Sequence, residues 1–124
     1  MEKTFCPGLD IFLTLVYISV YINIMNGEYM QERLAKAARC LKVLAHPTRL
    51  MIIHLLGDGE RSVQELEKAL GVSQSSISQH LNLLKDREIL ESRRAAQQVF
   101  YRLSNPRLLE LTAITRQLFC KLED

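Results

Sequence analysis

The stretch from Ser62 to Leu103, SVQELEKALGVSQSSISQHLNLLKDREILESRRAAQQVFYRL, constrains this chain more than any other. Ser62-x-x-Glu65 is a capping box, in which a serine hydroxyl and a glutamate three residues on satisfy each other's backbone N–H groups and open a helix. Leu66 and Leu70 give that helix a buried pair, and Gly71 closes it. Ser73 is the expected N-cap of a second helix reaching about Lys85. Ile89–Arg94 and Val99–Leu103 then read as two short strands, the second alternating Val99, Tyr101 and Leu103 against Phe100 and Arg102. The link between them lacks an Asn-Gly or Asp-Gly pair, so a loose tip is expected, with Arg93 and Arg94 on one side of it and Gln97 and Gln98 on the other.

Upstream, Leu34, Ala37, Ala38, Leu41, Leu44 and Ala45 recur at helical spacing and predict a first amphipathic helix in a domain beginning near Glu28. His46-Pro47 stops it, because proline disfavours helix in its predecessor and suits the first turn of the next. The second helix runs about Pro47–Leu56, with Leu50, Ile53, Leu55 and Leu56 inward, and Gly57-Asp58-Gly59 ends it. Asn105-Pro106 supplies an N-cap and first-turn proline for a last helix running to the C-terminus. The expected fold is mainly α with a small β-hairpin wing: four helices, a strand pair and a final helix.

A helical wheel gives the 74–85 helix its meaning. Ile77, Leu81 and Leu84 form one apolar stripe and must face the core. Ser75, Ser78, Gln79 and Asn82 point away from it. Such side chains suit base edges, since Gln and Asn pair bidentately with adenine and serine accepts several partners. Gln74 and Ser76, in the first turn, are placed for phosphate, where the helix N-terminus adds partial positive charge. A ribbon bearing Arg93, Arg94 and Gln97 can straddle phosphate or enter a minor groove. The shape is a winged helix-turn-helix, and the candidate DNA-binding residues are Gln74, Ser75, Ser76, Ser78, Gln79, Asn82, Arg93, Arg94 and Gln97. His80, about 60° from the core stripe, is read first as a packing or inter-helix hydrogen-bonding residue and second as a DNA contact.

The formal net charge of +2 over 124 residues does not announce a nucleic-acid partner. Placement helps more: Arg61–Leu103 holds seven Lys/Arg against five Asp/Glu, and no acidic residue follows Glu91 to offset Arg93, Arg94 and Arg102. The three histidines lie on separate predicted elements without nucleophile–base spacing, and no phosphate loop is present, so an enzyme is not expected. Cys6, Cys40 and Cys120 form no C-x-x-C pair and no even disulfide framework, which suits reduced thiols in the cytosol.

Residues 1–27 stand apart. No charge occurs from Ile11 to Gly27, a length marginal for a bilayer-spanning helix of about 20 residues. Glu2 and Lys3 give no positive leader, and no small-x-small cleavage site follows. The segment is read as an extension outside the core domain, with a membrane anchor or an extra element on a dimer surface as alternatives. A membrane partner is not expected.

LKVLAHPTRLMII at 41–53, SVQELEKALGVSQSSISQHLNLL at 62–84 and RRAAQQVFYRL at 93–103 resemble the ArsR/SmtB family of winged-helix repressors. The resemblance covers about Met30–Asp124 and implies a cytoplasmic homodimer, joined through its first and last helices, that releases a palindromic operator on meeting an inducer. Glu88 departs from it, standing where the family usually has glycine before the first wing strand. The family's familiar metal sites are absent: Leu66-Glu67-Lys68 replaces a Cys-x-Cys pair, and Asn105–Asp124 holds no histidine. The ending RQLFCKLED looks more like the thiol-based branch that senses sulfide, persulfides or oxidants. There Cys120 matches the last-helix cysteine, while the second-helix partner position holds His54. Cys40 is the candidate replacement partner. Each cysteine follows a basic residue by one turn, Lys36 or Arg116, the kind of neighbour that favours a reactive thiolate. The expected redox-sensing residues are therefore Cys120 and Cys40, with no cofactor and no resident metal. A metal-responsive repressor with an atypical site, including a His54–Cys120 pair, is the same-fold alternative. A winged-helix protein-interaction module is the alternative of another class.

Overall fold

The computed structural model describes residues 7–120. It divides into two compact units, one ending at Arg39 and one beginning at Cys40. Helix α1 is assigned over Pro7–Leu44, starting well before the expected onset near Glu28. From Ile11 to Arg39 every side chain is exposed. The helix is long and apolar enough to cross a membrane, by length and composition. Glu2, Lys3 and Cys6 lie outside the described residues.

The second unit is built on α2 (Pro47–Leu55), a 3-10 turn (Leu56–Asp58), β1 (Arg61–Ser62), α3 (Val63–Leu70), α4 (Gln74–Asp86), β2 (Leu90–Ala95), β3 (Gln98–Leu103) and α5 (Leu108–Phe119). The wing is larger than a hairpin. Two residues before α3 pair antiparallel with β3, Arg61 opposite Tyr101 and Ser62 opposite Phe100, so the sheet has three strands in the order β1-β3-β2. Arg61 also donates its Nε–H to the Leu55 carbonyl at 2.9 Å, tying this edge to the end of α2.

Local chemistry sets the boundaries. His46, extended, caps α2 with Nδ1 accepting from the Thr48 N–H at 3.1 Å. The Ser62–Glu65 box is fully made: Ser62 Oγ accepts from the Glu65 N–H at 3.1 Å, and Glu65 Oε1 accepts from the Ser62 N–H at 2.8 Å. The Ser62 N–H, and after it the Ser62 hydroxyl, hold the Glu65 carboxyl below its ordinary value. Gly71 caps α3 at φ 66°, a left-handed conformation that glycine adopts without strain. Ser73 caps α4 through the Ser76 N–H. Asn105 Oδ1 accepts from the Arg107 N–H at 3.0 Å, and α5 begins two residues after Pro106 rather than at it.

The core is a cluster of Val43, Leu44, Ile52, Ile53, Leu56, Leu66, Ile77, Leu81, Leu84, Ile89, Leu90 and Tyr101. Two expectations are corrected here. Leu50 is exposed, and Ile52 takes the inward place beside Ile53, because α2 turns those two to the core cluster and Leu50 toward α5. The wing tip is tight rather than loose: Ala95 pairs with Gln98, leaving only Ala96 and Gln97 in the turn, and Ala96 supplies the positive φ (57°) that glycine or asparagine usually would. Glu88 likewise sits at φ 60°, so the turn entering β2 keeps a left-handed backbone without the glycine.

Candidate nucleic-acid interface and adjoining groove

The α3–α4 pair positions the reading surface. Ile77, Leu81 and Leu84 on α4 and Leu66 on α3 are essentially fully buried, which fixes the rotation of α4 about its axis. That rotation sends two polar stripes outward. Ser75 and Gln79 are exposed, facing solvent. Gln74, Ser78 and Asn82, four residues apart, line a cleft of about 270 Å³ whose other wall includes Gln97, Val99 and Tyr101 of the wing. The structure therefore brings together four of the expected DNA-binding side chains, Gln74, Ser78, Asn82 and Gln97, from segments some 20 residues apart. Ser76 is half-buried, and its N–H is occupied by the Ser73 cap.

The arginines divide between the two faces of the wing, as alternation along a strand requires. Arg94 pairs with Val99, whose side chain lines the cleft, and Arg94 is exposed on that face. Arg93 lies on the opposite face, where Glu60 holds it bidentately at 2.7 and 2.6 Å and its guanidinium stacks over Phe100 at 4.8 Å. The same bonds hold the Glu60 carboxyl below its ordinary range and raise Arg93 further. Neither arginine is at the tip, which is Ala96-Gln97. Arg102 is paired with Glu91 at 2.8 Å. Burial raises the Tyr101 phenol above its ordinary value.

His80 makes the inter-helix bond expected of it first. Its Nδ1 accepts from Arg49 Nε at 3.1 Å, and its ring lies 4.6 Å from that of His46. Glu60 and Arg49 were not singled out from the sequence. Each acts on a residue 31 or more positions away, and no local pattern marks such a pair.

A second concavity, of about 570 Å³, lies between α2 and α5. Leu50, Met51 and His54 line it from α2; Thr115, Arg116, Phe119 and Cys120 line it from α5, with Leu41 and Leu44 at its edge. Cys120 is a free, exposed thiol and Cys40 a free, half-buried one. The groove thus brings Cys120 and His54 together, whereas Cys40 is not among its lining residues. Among the described residues no group of three or more His, Cys, Asp or Glu could hold a metal ion.

The family model described as "Bacterial regulatory protein, arsR family" matches residues 46–92. A "Biofilm growth-associated repressor" of Xylella fastidiosa is 40% identical over 99 residues, covering 80% of this chain and 87% of that protein. The solved structure "Reduced HlyU from Vibrio cholerae N16961" is 39% identical with a TM-score of 0.66, covering 74% of this chain and 97% of that one. A homodimeric winged helix-turn-helix DNA-binding domain from Mycobacterium bovis, 31% identical, has a TM-score of 0.64 and covers 72% of this chain and 82% of its own.

Proposed function

Because the chain belongs to the ArsR family of bacterial regulatory proteins, and so is a DNA-binding transcription regulator rather than an enzyme, we propose that it is a cytoplasmic repressor that binds a palindromic operator as a homodimer and lets go when Cys120 is modified. The cleft shared by α4 and the wing carries the DNA half of this reading. Four uncharged side chains able to pair with base edges converge there, with Arg94 on the same face for phosphate. Ser75 and Gln79 extend the reading edge, and Ser76 adds a contact near the helix N-terminus. Arg93 acts as a brace, holding the wing against Glu60, and reaches DNA only when that pair opens.

One copy offers few contacts, and two recognition helices about one helical turn apart would supply the rest. The last helix supports this. No residue of α5 is fully buried, and Ile114 and Leu118 are exposed large apolar side chains, as is Leu41 at the end of α1. Pairing of first and last helices between two copies would cover them.

For the switch, Cys120 is exposed and lines an apolar groove that Arg116 also lines. The Cys120 thiolate attacks the outer sulfur of a persulfide such as glutathione persulfide. The new S–S bond forms as the old one breaks, and glutathione thiolate leaves. His54, and no second cysteine, lines the groove with Cys120, so the product on one chain is a persulfide and not a disulfide within the groove. Cys40 is assigned the secondary role of a partner thiol reached only on further oxidation.

The test is fluorescence anisotropy on a duplex selected from a random pool, under reducing conditions and then with glutathione persulfide, peroxide or zinc. Release by persulfide in the parent and in Cys40→Ser, but not in Cys120→Ser, is expected. Release of the Cys40→Ser/Cys120→Ser double variant like the parent overturns the thiol reading, and release by zinc alone favours a metal-responsive repressor.

A further inference from the structure

Three groups that can carry positive charge meet where α2 leans on α4. Arg49 donates Nε–H to His80 Nδ1 at 3.1 Å and its NH1 to the Val43 carbonyl at 2.6 Å, bridging the recognition helix to the end of α1. His46 lies against His80 with ring centroids 4.6 Å apart, and its own Nδ1 is engaged by the Thr48 N–H. Arg49 has no acceptor capacity, so this bond exists only while His80 Nδ1 carries a lone pair, with the ring proton on Nε2. One further proton removes the acceptor and sets imidazolium beside guanidinium.

We propose that Arg49 and His80 are positioning residues for the recognition helix, and that proton uptake at His80 Nδ1 releases α4 from α2 and weakens DNA binding. The inference rests on the reading of α4 as the DNA-reading helix. His80 precedes Leu81, whose burial fixes the rotation of α4, and lies between Gln79 and Asn82, which face outward. A displacement here therefore reaches the reading edge directly.

The surroundings favour neutral His80. Burial, then the charges of His46 and Arg49, hold it below its ordinary 6.5. Packed against α4 are also α3, with Glu65, Glu67 and Lys68, and β2, with Glu91, Arg93 and Arg94; none of these is among the groups acting on His80. The sign follows. The folded state binds this proton less readily than the unfolded one, so the clamp's full contribution is present above about pH 6.5 and is lost as pH falls from there through the lowered folded value.

Acidification adds positive charge, which on electrostatic grounds alone tightens DNA binding. Weakening on the acid side is thus a signature that charge by itself does not produce. His80→Gln keeps an acceptor oxygen and cannot be protonated. Anisotropy on the selected duplex, at fixed salt from pH 7.5 downward, should show the parent losing affinity progressively below about pH 6.5, by roughly tenfold once His80 is protonated, as loss of one charge-assisted hydrogen bond implies. His80→Gln should bind within about twofold of the parent at pH 7.5 and lose that decline; Arg49→Met should be weak throughout. Thermal unfolding without DNA should show the same flattening in His80→Gln. The proposal is overturned if His80→Gln keeps the parent's decline, or if His46→Asn, which retains the cap, abolishes it instead. If Gln79→Ala and Asn82→Ala bind like the parent, the reading of α4 fails, while the unfolding profiles still report on the clamp.

Discussion

The reading edge of α4 and the groove beside α5 lie in one small domain and are built on opposite principles. Behind the polar edge stand Ile77, Leu81 and Leu84, each at most 1% exposed, with serine caps at the starts of α3 and α4. The α5 wall of the groove has no such backing. No residue of α5 is fully buried, and Phe119, at its end, is 79% exposed. A surface that reads base edges must hold its side chains to within a fraction of an ångström, and close packing achieves this. A surface that changes state needs weakly held parts. On the proposed reading, recognition would rest on the buried stripe of α4, and response on a helix with no fully buried residue.

That contrast can be broken in order of expected effect. Leu81→Ala should lower unfolding free energy by about 2–5 kcal/mol in urea titration, since the cavity sits under the reading edge. Leu118→Ala, on the exposed side of α5, should cost less than about 0.5 kcal/mol of monomer stability and act on dimerisation instead, read by analytical ultracentrifugation. Equal losses of stability at the two sites would erase the distinction. Gln79→Ala or Asn82→Ala should weaken selected-duplex binding by about 1–3 kcal/mol each with unchanged unfolding, as loss of a bidentate base contact would. Ser62→Ala removes the hydroxyl that accepts from the Glu65 N–H while keeping the backbone N–H that Glu65 Oε1 accepts from; thermal melts should show a loss of about 1 kcal/mol. Cys120→Ser should be the smallest in stability, within about 0.5 kcal/mol, while abolishing the persulfide response.

The same contrast explains what was legible beforehand. The capping box, the Ser73 cap and the Ile77–Leu81–Leu84 stripe are encoded by neighbours within one or two helical turns, and the structure has each where the spacing predicts it. His80 was legible in part, because lying only about 60° from the stripe marked it for packing or an inter-helix bond, though not for Arg49 as the partner. Other features depend on residues distant in sequence. Arg93 was expected at a basic tip, yet Glu60, 33 residues earlier, holds it on the far face. Pairing of Arg61-Ser62 with β3 is two residues long and has no alternation to detect. The wing turn was misjudged because Ala96 adopts a backbone usually left to glycine or asparagine. Leu50 was placed inward because an apolar residue on a short helix is ordinarily core, whereas here it belongs to the groove.

The strand order β1-β3-β2 leaves β2 with one unpaired side, six residues long, bordering solvent. Such a margin invites another chain to add itself as a fourth strand. Glu91, Arg93 and Arg94 make that strand a charged one, although Glu91 and Arg93 lean inward over β3 to Arg102 and Glu60 and leave Arg94 as its exposed arginine without a described ion pair. Charge on an edge strand opposes such addition whether or not the strand touches DNA, and here that charge rests chiefly on Arg94.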